Sequence, residues 1–441
     1  MRVCRGRLAR AAFSGGVARR TFVHGRDDAV PAAFIVCVLG LVAIAFHPAT
    51  LRSQEVSPDS PGAELDALVS EALVGNPDVM AAAQRFEAAK AMIPPARTLP
   101  DPTLTFSYKD MDVNEAMYGV SQEIPFPGKL KLRGEIASRE AGAMEQNYLA
   151  VRLGVIARLK VAYYELLLSD HSIAIIEKTR QILEQLSAAA EAGYSVGRMA
   201  QADVFRAQAE VSRSLARLAT ARQRKQSVNA ELARLLNRPA ATTVDVEGQL
   251  RPVPTHRNLA DTLALIDESP MLRARGAAIE RSNAVLALAR REYLPDFEIG
   301  LQGVHEEPMR DDGYQVMLNV TVPLYFASKQ RYGVREALAT RESTAGENQA
   351  LRQELVMRVT DEFAQIDRAG KVIELLEKAI IPQAELTLAS ARSAYSVGKV
   401  DFLTLLNSLF TLQENELELR AEIAGHEQAR ARLEEIIGEE P

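Results

Sequence analysis

The 441-residue chain contains no tryptophan, only two cysteines and few glycines, 25 in all. Both cysteines, Cys4 and Cys37, lie close to the N-terminus. If that segment is removed on export, the remaining chain has no disulfide, no thiolate metal site and no cysteine nucleophile. Sparse glycine together with abundant Ala, Leu, Glu and Arg favours a fold of long helices.

The sequence also lacks the motifs of enzymes. There is no phosphate-binding glycine loop, no nucleophile motif and no histidine paired with carboxylates at a useful spacing. His171, His256, His305 and His426 are scattered, so no cluster has the spacing of metal ligands. We therefore expect no enzymatic activity and no resident metal or cofactor. The net charge of -6 becomes more negative without the arginine-rich start, which argues against a nucleic-acid partner.

The N-terminus has the pattern of an export signal. Seven arginines precede residue 30, and a mostly apolar run of about 15 residues follows from Ala32 to Phe46. Ala43-Ile44-Ala45 is a plausible cleavage site, which predicts a signal peptide at 1–45. The alternative is a retained inner-membrane anchor, for which the run is short. Because Cys37 does not follow a lipoprotein cleavage box, we do not expect a lipid there.

An internal repeat covers the rest of the chain, at an offset near 200 residues. Three segments recur in the same order: Tyr194-Ser195-Val196-Gly197-Arg198 as Tyr395-Ser396-Val397-Gly398-Lys399, Leu99-Pro100-Asp101 as Leu294-Pro295-Asp296, and Ala137-Ser138-Arg139-Glu140 as Ala339-Thr340-Arg341-Glu342. The predicted division is a first helix-strand-strand-helix-helix unit at 62–238, a linker at 239–258 and a second unit at 259–437. The linker is expected to cross as an extended strap.

Long helices dominate each predicted unit. The segment from Gly128 to Arg238 contains no proline, and its apolar residues recur in steps of three, four or seven, which is typical of coiled-coil packing. Two helices joined near residues 194–197 fit this segment. Each unit also begins with a helix, expected at about 64–93 and 259–291. In the second unit Pro382 predicts a kink or a break.

Each unit contains two strand candidates with one apolar and one mostly polar face. Leu104, Phe106 and Tyr108 alternate with polar residues, and the run from Tyr314 to Val322 alternates in the same way. Strands of about ten residues with this pattern resemble outer-membrane strands, whereas the alternative is a small soluble sheet that caps a helical bundle. Four strands cannot close a barrel, but three chains would supply twelve and leave a water-filled lumen.

The repeated Tyr-Ser-Val-Gly turns, Asp203-Val204 and the segment Leu403-Thr404-Leu405-Leu406 resemble the TolC-type outer-membrane efflux channels. The resemblance covers about residues 62–437. It implies a mainly α-helical protomer with four strands, a homotrimer with a twelve-stranded β-barrel in the outer-membrane lipid, and a periplasmic α-barrel that ends in a narrow tip. The implied partners are a periplasmic adaptor and an inner-membrane pump of the resistance-nodulation-division class.

The resemblance also implies the residues of the tip gate. Asp203 matches an acidic gate position and Tyr395 a constricting tyrosine, whereas Thr404 and Asn407 stand where the best-known member has aspartates. Without that paired acidic ring we do not expect strong cation selectivity at the tip. The remaining tip positions implied are Arg198 and Lys399 beside the gate, and Tyr194, Gly197 and Gly398 in the turns.

Residues 121–130, Ser-Gln-Glu-Ile-Pro-Phe-Pro-Gly-Lys-Leu, resemble the strand-to-helix passage of the heavy-metal branch, the CusC and CzcC type. This similarity implies a passive duct for copper, silver, zinc, cobalt or cadmium. A drug channel or a type I protein secretion channel of the same fold remains an alternative. A periplasmic coiled-coil adaptor is a more distant one, because adaptors have one helical hairpin rather than two.

Overall fold

The computed structural model describes residues 63–439 apart from 111–113, 240–241, 245, 247, 249, 254–256 and 308–310. The predicted signal peptide, both cysteines and His256 lie outside the described residues. The helices are α1 (Ala63–Gly75), α2 (Pro77–Ala91), α3 (Ile93–Arg97), α4 (Lys129–Ser195), α5 (Gln201–Leu235), α6 (Leu259–Ala264), α7 (Pro270–Arg291), α8 (Gln330–Leu375), α9 (Ile381–Ser396) and α10 (Phe402–Ile437). The strands are β1 (Thr103–Lys109), β2 (Asn114–Ile124), β3 (Asp296–Glu307) and β4 (Asp311–Thr321).

The helix that opens each unit is broken, so the two single helices expected from the sequence were wrong. Pro77 lacks an N–H and starts α2, while the Asn76 side chain accepts the backbone N–H of Asp78 at 2.9 Å and donates to the Leu235 carbonyl at 2.8 Å. In the second unit, a 3₁₀ turn separates α6 from α7, which starts at Pro270. Proline at the first helical turn therefore defines both breaks.

The predicted long helices are confirmed, and α4 is the central one. It packs against α5, α7 and α10, and its middle contributes the fully buried Leu159 and Leu166 to the main core, whereas Leu183 is buried in a separate cluster nearer the tip. Described residues of the segment after α5, among them Val244 and Leu250, pack against this main core. Val244 is buried there and donates its N–H to the Asn229 side chain at 3.1 Å, which fastens the segment to α5.

Pro382 does not break the second leg but follows a π-helical turn, Leu376–Ile380. A π turn adds one residue to an α-helix. The fully buried Val155 and Leu159 of α4 stand 200 residues before the fully buried Leu355 and Val359 of α8, but beyond the π turn the tip tyrosines are 201 apart. The sequence offset between equivalent residues of the two units therefore increases by one inside a helix, close to Pro382, which removes a hydrogen bond to the preceding turn.

This burial pattern also revises one segment of the repeat. Residues 137–140 resemble residues 339–342 at an offset of 202, whereas packing of the two helices sets the offset at 200. Each helix buries the face that its neighbours cover, so buried positions identify equivalent residues better than four similar letters do. By this measure Lys129 corresponds to Lys329.

The four strands form one antiparallel sheet in the order β1-β2-β3-β4. β1–β2 and β3–β4 are hairpins, and β2 pairs with β3 across the two units, with Gln122 opposite Ile299. Among the described residues, β1 and β4 each pair on one side only. The mainly α fold with a small four-stranded sheet is thus confirmed, and the sheet of one chain is open at both edges.

Candidate functional site: the amphipathic sheet and the helical tips

The sheet has one apolar and one polar face, because the registers align apolar residues across all four strands. Leu104 stands opposite Val120, which stands opposite Leu301, which in turn stands opposite Val316. Leu104 is 81% exposed and Val316 67% exposed. The reverse face has Thr105, Ser107, Ser121, Glu123, Glu298, Gln315 and Asn319. An apolar face with no cover from its own chain requires a lipid or protein environment.

Aromatic side chains flank this apolar face at both ends. Tyr108 and Tyr314 are exposed near the hairpin ends of their strands. At the other end, Tyr325, Phe326 and Tyr332 are exposed where the chain leaves β4 and enters α8. Outer-membrane strands show such aromatic belts at both lipid–water interfaces, with an apolar band of about 25 Å between them. In the described part of the chain, no helix is both long and apolar enough to cross a membrane.

The passage from β2 to α4, residues 125–129, forms what we call the first elbow. Lys129 is buried there, and its Nζ donates to Asp296 Oδ2 at 2.8 Å and to the Leu294 carbonyl at 3.1 Å. Asp296 Oδ1 also accepts the Phe126 N–H at 2.7 Å. Gly128 has a φ of +93°, and a Cβ there would overlap the Arg291 guanidinium. An ion pair between the buried Lys129 and the partly buried Asp296 therefore fixes the elbow to the start of β3, and Gly128 supplies the left-handed backbone of the turn.

The two tip turns have nearly the same geometry. Gly197 and Gly398 have φ values of +69° and +71°. The Gly197 N–H donates to the Tyr194 carbonyl at 2.9 Å, and the Gly398 N–H to the Tyr395 carbonyl at 3.0 Å. A glycine with left-handed backbone commonly follows the last turn of a helix and caps its C-terminus. Both glycines therefore serve the turn.

The structure brings two of the predicted gate residues close together. Burial, followed by the negative charge of Asp203, raises the pKa of the Tyr395 phenol. The Tyr395 hydroxyl donates to Met199 Sδ at 3.3 Å, and its ring lies 5.6 Å from that of Phe402. Met199 was missed from the sequence because a single methionine in a turn carries no signal. The contact joins the first tip turn to the second hairpin.

The other predicted gate residues lie at the same helical tips, but among the described residues they make no hydrogen bond or ion pair with Asp203 or Tyr395. Thr404 donates its hydroxyl and its backbone N–H to Asp401, the residue that caps α10. Asn407 is exposed and lines a groove of about 410 Å³ together with Thr404. Arg198 and Lys399 are exposed, and their backbone N–H groups close the two turns.

The described histidines are separated and each has its own local partner. His171 Nδ1 lies 2.9 Å from the Leu167 carbonyl, and His426 Nδ1 lies 2.9 Å from Glu427 Oε1. His305 Nδ1 lies 2.5 Å from Asp312 Oδ1 on the apolar side of the sheet. Within the described ranges, no three His, Cys, Asp or Glu side chains form a group that could hold a metal ion.

A mainly helical protomer with an open amphipathic sheet and paired helical tips is the architecture of an outer-membrane duct. The sequence profile of the Outer membrane efflux protein family matches residues 68–238 and 264–439. The chain belongs to this family. Its place is accordingly the outer membrane, with the helices extending into the periplasm.

Two relatives and one solved structure are similar over most of the chain. The cobalt-zinc-cadmium resistance protein CzcC of Cupriavidus metallidurans is 20% identical, over 85% of this chain and 90% of CzcC. The probable outer membrane lipoprotein SilC of Salmonella typhimurium is 22% identical, over 81% of this chain and 82% of SilC. A solved structure of CusC has the same fold, with a TM-score of 0.73, 18% identity and coverage of 85% of this chain and 92% of CusC.

Proposed function

We propose that three copies of this chain form the exit duct of a tripartite efflux system. The observation that carries the proposal is the open four-stranded sheet, whose outer face is apolar and exposed. A sheet edge cannot face lipid, because its backbone groups would lack hydrogen-bond partners. Three copies would remove every edge and give twelve strands around a water-filled lumen. The polar face of the sheet would then line that lumen.

In this proposal the chain is passive and depends on partners. Residues 1–45 direct export, and the two units at 62–238 and 259–437 each add a hairpin of strands to the barrel. A periplasmic adaptor and an inner-membrane pump of the resistance-nodulation-division class supply the cargo and the energy. Membership of the efflux family supports the need for such partners.

The proposed cargo is a heavy-metal cation. The support is the name of the relative CzcC, which is a cobalt-zinc-cadmium resistance protein, together with the first elbow, whose sequence resembles the heavy-metal branch. The duct itself needs no resident metal site for this role, because the pump would select the cargo.

The proposed gate is the tip, with Asp203 and Tyr395 at its constriction and Thr404, Asn407, Arg198 and Lys399 around it. Contact between Tyr395 and Met199 ties the two hairpins of one protomer together, which supports a closed arrangement. Tyr194, Gly197 and Gly398 shape the turns that carry these side chains.

Gene deletion with complementation tests both the duct and its cargo. The deletion strain is challenged with zinc, cobalt, cadmium, copper and silver salts and, in parallel, with drugs and dyes. We expect greater sensitivity to one or more metals, restored by the wild-type gene. If the deletion strain is sensitive to drugs alone, the cargo is a small organic molecule rather than a metal. Loss of a secreted protein would indicate type I secretion. A purified chain that is a water-soluble monomer and passes no ions would contradict the duct itself.

A further inference from the structure

The second unit contains an elbow that corresponds to the first, but its lysine side chain has no partner among the described residues. We call residues 323–329, between β4 and α8, the second elbow. Lys329 corresponds to the buried Lys129, yet it is exposed. Asp101 corresponds to Asp296, the partner of Lys129, and it is also exposed. Among the residues that the structure describes, neither the Lys329 ammonium nor the Asp101 carboxylate makes a hydrogen bond or an ion pair, and Lys329 bonds only through its backbone, to Tyr325 and Gly333.

The contact made by the first elbow shows what the second one lacks. Lys129 belongs to the first unit and Asp296 to the second, so this ion pair joins the two units side by side. The equivalent neighbour of the second unit is a first unit, and a chain has only one. That neighbour must therefore come from another copy.

We propose that the ion pair is repeated between copies, with Lys329 of one protomer bound to Asp101 of the next. The inference rests on the trimer of the proposed function and identifies a contact that holds it together. The ion pair at the second elbow is therefore complete only when the partner copy supplies the aspartate. Each unit boundary around the ring then has the same lysine–aspartate pair, alternately within and between protomers.

The sheet edges support the same arrangement independently. Pairing of β2 with β3 places Gln122 opposite Ile299 and Val120 opposite Leu301. In the repeat, Val320 is equivalent to Gln122, because Ile124-Pro125 matches Val322-Pro323, and Leu104 is equivalent to Ile299, because Leu99-Pro100-Asp101 matches Leu294-Pro295-Asp296. The same register between copies therefore places Val320 opposite Leu104, and Leu318 opposite Phe106, of the next copy.

In that register all four side chains are on the apolar face, whereas a slip of one residue would oppose apolar and polar faces. The unpaired backbone groups of β4 would thus meet those of β1 in a continuous ladder.

Spacing at the second elbow fits a contact that spans two chains. Equivalent residues at the ends of β2 and β4 are 198 positions apart in the sequence, whereas equivalent residues of the long helices α4 and α8 are 200 apart. The second elbow is therefore two residues longer than the first. In the proposed ring, the two added residues would give Lys329 the reach to contact the neighbouring copy. Leu324, Tyr325 and Phe326 are exposed in this stretch and would be covered by the next copy or by lipid.

Charge reversal tests the ion pair in the full-length, detergent-purified protein. Lys329→Glu should lower the temperature at which the trimer dissociates by about 5 °C or more, because it opposes two carboxylates at a partly buried contact. Asp101→Lys should do the same. The double variant restores opposite charges between copies and should recover most of the loss. Arg331→Glu is the matched control, since Arg331 corresponds to the exposed Lys131, and it should change the dissociation temperature little.

Disulfide trapping tests the register without relying on a destabilised variant. In a chain with Cys4→Ser and Cys37→Ser, Leu104→Cys combined with Val320→Cys should give a covalent trimer on oxidation, because directly opposed strand residues have disulfide geometry. Leu104→Cys with Leu318→Cys, displaced by two residues, should not.

A trimeric wild type that shows neither the loss on Lys329→Glu nor the disulfide would overturn this inference alone. A monomeric wild type would overturn the proposed function with it.

Discussion

Glycines at the tips show how one backbone angle can fix the end of a long hairpin. Gly197 and Gly398 have positive φ values, and a Cβ at either position would meet no atom within 4 Å. Strain there would come from the backbone alone. The two turns therefore depend on conformation rather than on space.

We expect Gly197→Ala and Gly398→Ala each to lower the free energy of unfolding by about 1 kcal/mol, the usual cost of left-handed backbone for an L-residue. Gly142→Ala is the control, because Gly142 lies inside α4 with open space around it. That change should stabilise by about 0.5–1 kcal/mol through helix propensity. Thermal melting of the purified proteins measures both, and equal effects at the tip and in α4 would contradict the assignment.

Neighbouring carboxylates in α10 have opposite electrostatic roles. Glu434 Oε2 accepts from Lys160 Nζ at 2.6 Å, whereas the Glu435 carboxylate makes no hydrogen bond or ion pair among the described residues. Burial raises the pKa of Glu435, and nearby arginines offset this only in part. Its protonated form is therefore favoured in the folded chain.

The stability of the fold should therefore depend on pH through Glu435. As pH rises from below 4.5 through the raised pKa, the unfolded chain loses the Glu435 proton first, so folding stability falls. Glu435→Gln should therefore raise the melting temperature at pH 7 and change it little near pH 4. Glu434→Gln is the control and should lower stability at pH 7, because it strands the nearly buried Lys160. If both variants melt alike at pH 7, burial of Glu435 is not costly.

At the scale of elements, the π turn in the second leg keeps two helical faces in phase with their neighbours. One residue more or less rotates all that follows by about 100° in an α-helix. The extra residue at 376–380 is absorbed locally, and Ala384 and Ala391 of α9 are buried as Leu183 and Ala190 of α4 are.

We expect deletion of Ala379, within the π turn, to be tolerated at a cost of about 1–2 kcal/mol, within the usual range for a single change, since the segment can convert to α-helix. Deletion of Gly370, on the regular helix nearby, should cost more, because no extra residue is present there to absorb the loss. Loss of helical signal on heating, followed by circular dichroism, compares the two. A Gly370 deletion as stable as the Ala379 deletion would show that the π turn has no buffering role.

At the scale of the whole molecule, the proposed gate depends on three copies of one tip. Asp203→Ala with Tyr395→Phe removes the charge and the hydroxyl that we place at the proposed constriction. We expect a higher single-channel conductance in planar bilayers, because the narrowest part then loses its hydrogen bonds and charge pairs. Asp367→Ala with Tyr148→Phe makes the same chemical changes away from the tip and should leave conductance unchanged. An unaltered conductance in the tip variant would place the constriction elsewhere.

Much of this architecture follows from local pattern in the sequence. Helical periodicity, alternation in the strands and the repeated Tyr-Ser-Val-Gly turns depend on neighbours within a few residues, so they can be read along the chain. The breaks at Pro77 and Pro270 carried a proline signal too, but the helical pattern on either side concealed them.

The sequence by itself determined the two helical units, the two-faced strands and the excess of sheet edge that a single chain cannot bury. Only the tertiary structure decided which residues meet: Lys129 with Asp296, Tyr395 with Met199, and the one-residue correction at the π turn. These pairs are separated by more than 160 residues or by a change of helical phase. Such contacts depend on how whole elements pack, which no local pattern encodes.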